Sequence, residues 1–325
     1  MIYDVIIIGG GPVGTAAGVY VARKQLKTLL ITDSFGGQSL VSNDIENWIG
    51  EPHISGFELA QRFEKHVRKY SDMIDFAVPE KVTQVEAINC STKDRICDFQ
   101  VTTESGKTFL GKTVIVGAGA TRRKLDVPGE KEFDGHGVAY CSTCDAPLFG
   151  GKVVAIVGAG NAGLEGVEDS LPYASHIHLF VRGSDMKGDP VTQEKIKNHP
   201  KVAIHYNAEV KEVIGDKLVT GLRYLDKTTN QTMDLPVQGV FVEIGSMPNS
   251  GIVKDLVDID QYGQIKINAR YATTSHPGVF AAGDITDDPF KQNNISAGDA
   301  VKAALSAYQY LLKREKLSPA AETTA

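Results

Sequence analysis

"YDVIIIGGGPVG", residues 3–14, is the stretch that decides the fold. Val5 to Ile8 is an unbroken run of branched apolar residues, the pattern of a strand buried on both faces. It runs straight into Gly9, Gly11 and Gly14, spaced G-x-G-x-x-G. Each glycine has its own task. The first permits the tight strand-to-helix turn, the second lets a pyrophosphate approach the backbone, and the third lets helix pack on strand. The helix that follows then points its free amides at the phosphates. One such match is weak evidence. The chain, however, repeats it as "KVVAIVGAGNAG", residues 152–163, with Gly158, Gly160 and Gly163. Two copies, each behind a β-branched strand and ahead of a helix-compatible run, predict an α/β protein with two doubly wound, three-layer nucleotide-binding domains. Pro12 and Asn161, inside the two turns, join the glycines as candidate cofactor contacts.

The sequence after each turn narrows the ligand. In "LKTLLITDSFGGQS", residues 26–39, Asp33 closes the second strand 19 residues after Gly14, where an acid would bind a ribose hydroxyl; Thr32 competes for that role. Gly36-Gly37-Gln38 is a further turn that exposes backbone. In "HIHLFVRGSDMKGDP", residues 176–190, no acid stands at the strand tip, and Arg182 and Lys187 are equally readable as holders of a 2′-phosphate or as solvated cations. "TVIVGAGAT", residues 113–121, ends a strand at Gly117, and "GVFAAGDIT", residues 278–286, ends one at Gly283-Asp284. An Asp at the carboxyl end of a parallel strand points at the ligand crevice.

Composition bounds the rest. The chain has 325 residues, enough for two domains, with 33 glycines and a net charge of −6. That charge argues against a nucleic-acid binder. No apolar run is long enough to span a membrane, and no signal peptide is visible ahead of the first strand. A cytoplasmic protein is expected, where structural disulfides are uncommon. Cys90 and Cys97, flanking the charged turn Lys93-Asp94-Arg95, are accordingly read as free thiols. Cys141 and Cys144, in "AYCSTCDAP", have no second pair or histidine cluster to complete a zinc site, so no metal is expected. A dithiol–disulfide pair at a helix start, where a thiolate is stabilised, is the leading alternative. Asp145, the next residue after Cys144, is positioned to move a proton during exchange or to cap a helix.

These elements, in this order, resemble the low-molecular-weight thioredoxin reductase family and the flavoprotein core of alkyl hydroperoxide reductase. The shared signals are the two glycine motifs, Gly36-Gly37-Gln38, "ENWIG" (46–50), "CSTCD" (141–145), and "GVFAAGD" followed by Lys291-Gln292, and they cover nearly the whole chain. The resemblance implies FAD on the first unit and NADPH or NADH on the second. It implies that Gly37, Gln38 and Asn47 line the flavin, that Asp284 holds the ribityl chain, that Gln292 lies by the ring, and that Cys141, Cys144 and Asp145 are the catalytic group. It also implies a homodimer. Electrons would pass from NAD(P)H through FAD to the cysteine pair and on to a thioredoxin-like or peroxiredoxin-type protein disulfide, with Cys144 nearer the flavin and Cys141 attacking the partner. The FAD domain is expected over 1–115 and 243–325, with the NAD(P) domain inserted over 116–242 and rotating on segments 117–121 and 245–249.

The chain also departs from the family pattern. NADPH-dependent members carry His-Arg-Arg where Val181-Arg182-Gly183 stands, NADH users carry an acid at Val181, and Gly163 is often Ala in the former. The donor could therefore be NADPH, NADH or, with a degenerate nicotinamide site, ferredoxin. "DAPLF" replaces the commoner Asp-Gly after the cysteine pair. The extra N-terminal domain of peroxiredoxin reductases is not present in the sequence, which favours a separate thioredoxin-like partner. Rival readings are a thiol oxidase of the same fold and a flavin-bound redox sensor without turnover.

Several other residues carry expectations. Trp48 is assigned to packing near the flavin, His136 to the surface, and His176-Ile177-His178 to a strand with one open side. Residues 58–70 read as an amphipathic surface helix with Phe57, Leu59, Phe63 and Val67 apolar, and 295–316 as the closing helix. Residues 317–325 read as a disordered tail.

Overall fold

The structure is a computed structural model and describes residues 1–42, 45–91 and 96–317. The expected turn Lys93-Asp94-Arg95 and the tail beyond Leu317 lie outside the described residues. The helices used below are α1 (Pro12–Arg23), α2 (Gly56–Arg68), α3 (Ser142–Asp145), α4 (Asn161–Ser170), α5 (Pro190–Lys197) and α6 (Asn293–Leu317). Among the described residues no helix is long and apolar enough to cross a membrane.

The chain forms two units, residues 1–121 with 247–325, and residues 122–246. The first is built on a parallel sheet ordered Ile74–Ala77, Thr28–Ile31, Val5–Ile8, Val114–Val116, Val279–Ala281. Every residue of Val5–Ile8 is buried because both faces of this strand are covered. Val5 and Ile7 face Val13 and Ala17 of α1 and Ala300, Ala303 and Ala307 of α6. Ile6 and Ile8 face Val85, Phe99 and Val101. Those last three belong to a second sheet, ordered Ile2–Tyr3, Thr108–Gly111, Asp98–Thr103, Val82–Ile88. Small residues on α1 and α6 let the two helices approach closely, and each fully buried branched residue contributes about 1.5–3 kcal/mol.

The second unit repeats the plan. Its parallel sheet runs Val138–Ala139, Gly239–Val242, Val153–Val157, His176–Phe180, Val202–His205, with an antiparallel sheet of Ala208–Gly215, Val219–Asp226 and Gln231–Pro236. α4 packs Leu164 and Val167 on one face against Val154, Ile156 and Phe241. The antiparallel sheet supplies Val210, Val213, Leu222 and Tyr224 to the other face, where they meet Ala155, Val157 and Phe180.

Several expectations need correction. The units divide at 121/122 and 246/247, later than the expected 115/116 and 242/243. Gly117 still bonds to Ile8 of the first sheet, and Glu243 to Val157 of the second. Cys90 and Cys97 are not free thiols but a disulfide with Cα atoms 4.1 Å apart. The strands Val82–Ile88 and Asp98–Thr103 pair antiparallel with Ile88 opposite Asp98, which brings the two flanking cysteines together. Phe57 is 62% exposed, off the buried face that Leu59, Ala60, Phe63 and Val67 form. Leu317 ends α6 and is not part of a tail. The His176 and His178 side is not open: His178 Nδ1 lies 3.0 Å from His205 Nε2, and His205 sits against Tyr224 of the antiparallel sheet.

Candidate functional site

In the first unit the glycine turn has the shape its spacing demands. Gly9 has φ +110°, and a Cβ there would run into the Gly117 carbonyl. A Cβ on Gly14 would strike the Gly9 carbonyl, so strand and helix meet at van der Waals limits. Gly11 is different: a Cβ would lie 3.7 Å from Gly37 Cα, its nearest neighbour, which leaves room over the start of α1. Pro12 opens that helix, whose first turn carries no acid and whose N-cap, Gly11, makes no side-chain bond. Its amides are therefore left for a ligand.

Residues far apart in sequence gather around this turn. Gln38 Nε2 donates to the Ala120 carbonyl at 2.8 Å and to Asp284 Oδ2 at 3.2 Å. Asn47 Nδ2 donates to Gln292 Oε1 at 3.3 Å, and Asn294 Nδ2 to the Asn47 carbonyl at 2.7 Å. Gly283, at φ +76°, backs onto Val13 of α1. Lys291 Nζ donates to the Thr286 carbonyl at 2.6 Å, and burial pulls its pKa down against the pull of Asp284 and its neighbours. Of the two ribose candidates, Asp33 is exposed and accepts the Ser34 amide at 2.8 Å, while buried Thr32 donates to the Ser34 carbonyl at 2.6 Å. Asp33 is thus the freer to meet a ligand. Trp48 stands edge-on to Phe63, ring centroids 5.2 Å apart, and packs, partly buried, on a small cluster of Ile45, Ile54, Leu59 and Phe63.

The second unit has the same turn. Gly158 has φ +133°, with its Cβ position blocked by the Glu243 carbonyl, and Gly163 abuts Gly158. Around Gly160 a Cβ would meet nothing within 4 Å, so this turn also is open at its second glycine. Asn161 Oδ1 accepts the Asp189 amide at 2.8 Å, and the Lys187 amide donates to the Ala159 carbonyl at 2.7 Å. Residues 187–189 are thereby tied beside the turn, with the Arg182 and Lys187 side chains exposed.

Cys141 and Cys144 are joined as a disulfide, Cα atoms 5.3 Å apart. Cys141 is the N-cap of α3, and the Cys144 and Asp145 amides both donate to its carbonyl, at 3.2 and 3.0 Å. Asp145 ends α3 and stands at the N-cap of the short 3-10 turn Ala146–Phe149, where its side chain makes no capping bond. Burial pushes its carboxyl up to about 6, opposed by Arg122. His136 is exposed and bonds within its own loop. Among the described residues no cluster of acids, cysteines and histidines could hold a metal ion.

Two groups beside the pair escaped the sequence reading. Asp169 accepts the Ser142 and Thr143 hydroxyls, and Glu243 accepts the Ser142 amide. A signal for the second was present. "GVFVEIG", residues 239–245, parallels "GVFAAGD", residues 278–284, as an apolar strand ending near an acid and a glycine.

Residues 3–307 match the pyridine nucleotide-disulphide oxidoreductase family. The chain is 39% identical over 311 residues to a Bacillus subtilis protein named NADH dehydrogenase, covering 96% of this chain and 59% of that protein. It is 40% identical, with the same coverage, to a Staphylococcus aureus protein named as a component of alkyl hydroperoxide reductase. The chain thus spans about 59% of the length of these relatives. Thioredoxin reductase from Streptococcus pyogenes superposes with a TM-score of 0.88 at 32% identity, covering 96% of this chain and 99% of that one. Thioredoxin reductase from Giardia duodenalis does so with a TM-score of 0.87 at 28% identity, covering 95% and 99%.

Proposed function

Because the chain belongs to the pyridine nucleotide-disulphide oxidoreductase family, we propose that it is a thioredoxin-reductase-like flavoenzyme. In this reading it draws electrons from NADH or NADPH and reduces the disulfide of a thioredoxin-like or peroxiredoxin-type protein. The observation that carries the reading is the Cys141–Cys144 disulfide, closed at a helix start beside a carboxyl held near neutrality.

The open turns at Gly11 and Gly160 fit two dinucleotides. Gly9, Gly11, Gly14, Gly37, Gln38, Asn47, Asp284 and Gln292 would hold FAD, and Gly158, Gly160, Asn161 and Gly163 the nicotinamide nucleotide, with Arg182 and Lys187 available to a 2′-phosphate. FAD, when bound, accepts hydride from the nicotinamide and passes an electron pair to a disulfide. The protein's own residues do the rest. Once Cys141–Cys144 is opened, the Cys141 thiolate attacks one sulfur of the partner's disulfide and releases the other as a thiolate. Cys144 then attacks the mixed disulfide, which restores the Cys141–Cys144 bond and frees the partner's second thiol. Asp145, next to Cys144 in the chain and with its carboxyl raised to about 6, can take up and give back a proton during this exchange more readily than an ordinary carboxylate.

The test is anaerobic. The yellow protein is mixed with NADH and, separately, with NADPH, and bleaching of the flavin band is followed. Rapid bleaching by one nucleotide, and turnover with a thioredoxin-like disulfide that Cys141→Ser abolishes, is the expected result. Full turnover by that variant refutes the role of the pair.

A further inference from the structure

The helix that carries the cysteine pair starts between two carboxylates. Asp169 of α4 accepts the Ser142 and Thr143 hydroxyls at 2.9 and 2.8 Å through one oxygen. Glu243, the residue after strand Gly239–Val242, accepts the Ser142 amide at 2.9 Å and is only 7% exposed. α4 makes room for it with a glycine. A Cβ on Gly166 would lie 3.3 Å from Glu243 Cγ and 3.5 Å from Ser142 Oγ. The exchange derived above makes no use of this buried acid.

The charged groups facing Glu243 are Arg122 from the crossover strand Ala120–Arg122 and Asp169 from α4, and Ser142 of α3 faces it as a neutral donor. Burial dominates and pushes its carboxyl up to about 7; the Ser142 bonds and Arg122 pull down, and Asp169 pushes up. An ionised Glu243 has a clear role while the disulfide is closed, because it satisfies the Ser142 amide with a charge-assisted bond. It becomes a liability when the residue before Ser142 turns into a thiolate. Two negative charges in a poorly solvated place repel, so forming one draws a proton onto the other.

We propose that Glu243 is a positioning residue for the cysteine pair whose protonation is linked to formation of the Cys141 thiolate. The proposal rests on the reading of Cys141 and Cys144 as an exchanging pair. In balance, opening the disulfide takes two electrons and two protons. The electron pair and one proton derive from the nicotinamide hydride and the second proton from solvent; one proton ends on Cys144 and one on Glu243, leaving Cys141 as thiolate. The protonated carboxyl still accepts the Ser142 amide through its carbonyl oxygen, so the helix start keeps its place. When the partner's disulfide has been reduced, the same two protons complete its two thiols.

The measurement is the pH dependence of iodoacetamide alkylation at Cys141 in the reduced holoprotein, assigned by peptide mass. Glu243→Gln keeps an acceptor for Ser142 and removes the charge. Any step from Asp145 is common to both proteins; Glu243→Gln is expected to lose one step of the wild-type profile, with the Cys141 midpoint lower by about one pH unit. Glu243→Asp restores the lost step. Superimposable wild-type and Glu243→Gln profiles overturn the proposal. Should Glu243→Gln fail to fold, the reduced-minus-oxidised infrared spectrum of the wild type at about pH 8 decides instead. A protonated-carboxyl band that moves on carbon-13 labelling of glutamate supports the linkage, and its absence overturns it. A shifted profile in a protein that turns over no disulfide substrate supports the role of Glu243 and overturns the proposed function; an unshifted profile in an active enzyme does the reverse.

Discussion

Gly9 shows how much one residue can decide. Its φ of +110° lies where only glycine is comfortable, and its missing Cβ leaves the place taken by the Gly117 carbonyl. Gly9→Ala therefore meets both a backbone and a steric penalty. The expected loss is about 2 kcal/mol or more of stability, together with flavin content, read by urea unfolding and by the visible spectrum of the purified protein. This position was legible because a G-x-G-x-x-G spacing behind a strand has few other uses. Glu243 was not legible in the same way. Its chemistry comes from burial and from Ser142, 101 residues away, and neither is encoded near it.

At the scale of the element, periodicity separates residues of equal hydrophobicity. In α2, Leu59, Phe63 and Val67 fall on one stripe at spacings of four, while Phe57 precedes Leu59 by two and points away. Phe63→Ala should cost about 3–5 kcal/mol and Phe57→Ala less than about 0.5, measured by the same unfolding assay. The N-cap is explicit as well: the Ser55 hydroxyl accepts the Glu58 amide at 3.1 Å. The Cys90–Cys97 link marks where element-level reading stopped. Two strands around a charged turn were visible, but pairing two cysteines seven apart needs the register of the hairpin, and register is set by the faces that strands bury in the tertiary fold.

For the whole molecule, each unit keeps its own cores. The two large cores of the first unit draw on residues 3–118 and 252–311, and those of the second on residues 125–244. The segments by which the chain leaves and re-enters, Ala120–Arg122 and Ser246–Pro248, pair with each other, so the ends of the insert are adjacent. Residues 122–246 expressed alone should therefore fold, with a single cooperative thermal transition and the Cys141–Cys144 disulfide intact. A molten spectrum without a transition would show that the insert depends on the rest of the chain.

The sequence by itself determined the repeated strand–glycine–helix plan and the placing of the Cys141–Cys144 spacing directly before Asp145. Both are local patterns whose physics acts within about 20 residues of chain. Only the tertiary structure decided which cysteines outside the motif pair, that Trp48 packs on a small cluster, that Tyr224 meets Phe180 of the histidine strand and the neighbouring His205, and that Glu243 and Asp169 flank the helix of the cysteine pair. The reason is common to them all. Burial and proximity set these groups' partners and their proton affinity, and both are products of contacts between distant segments that no local spacing specifies.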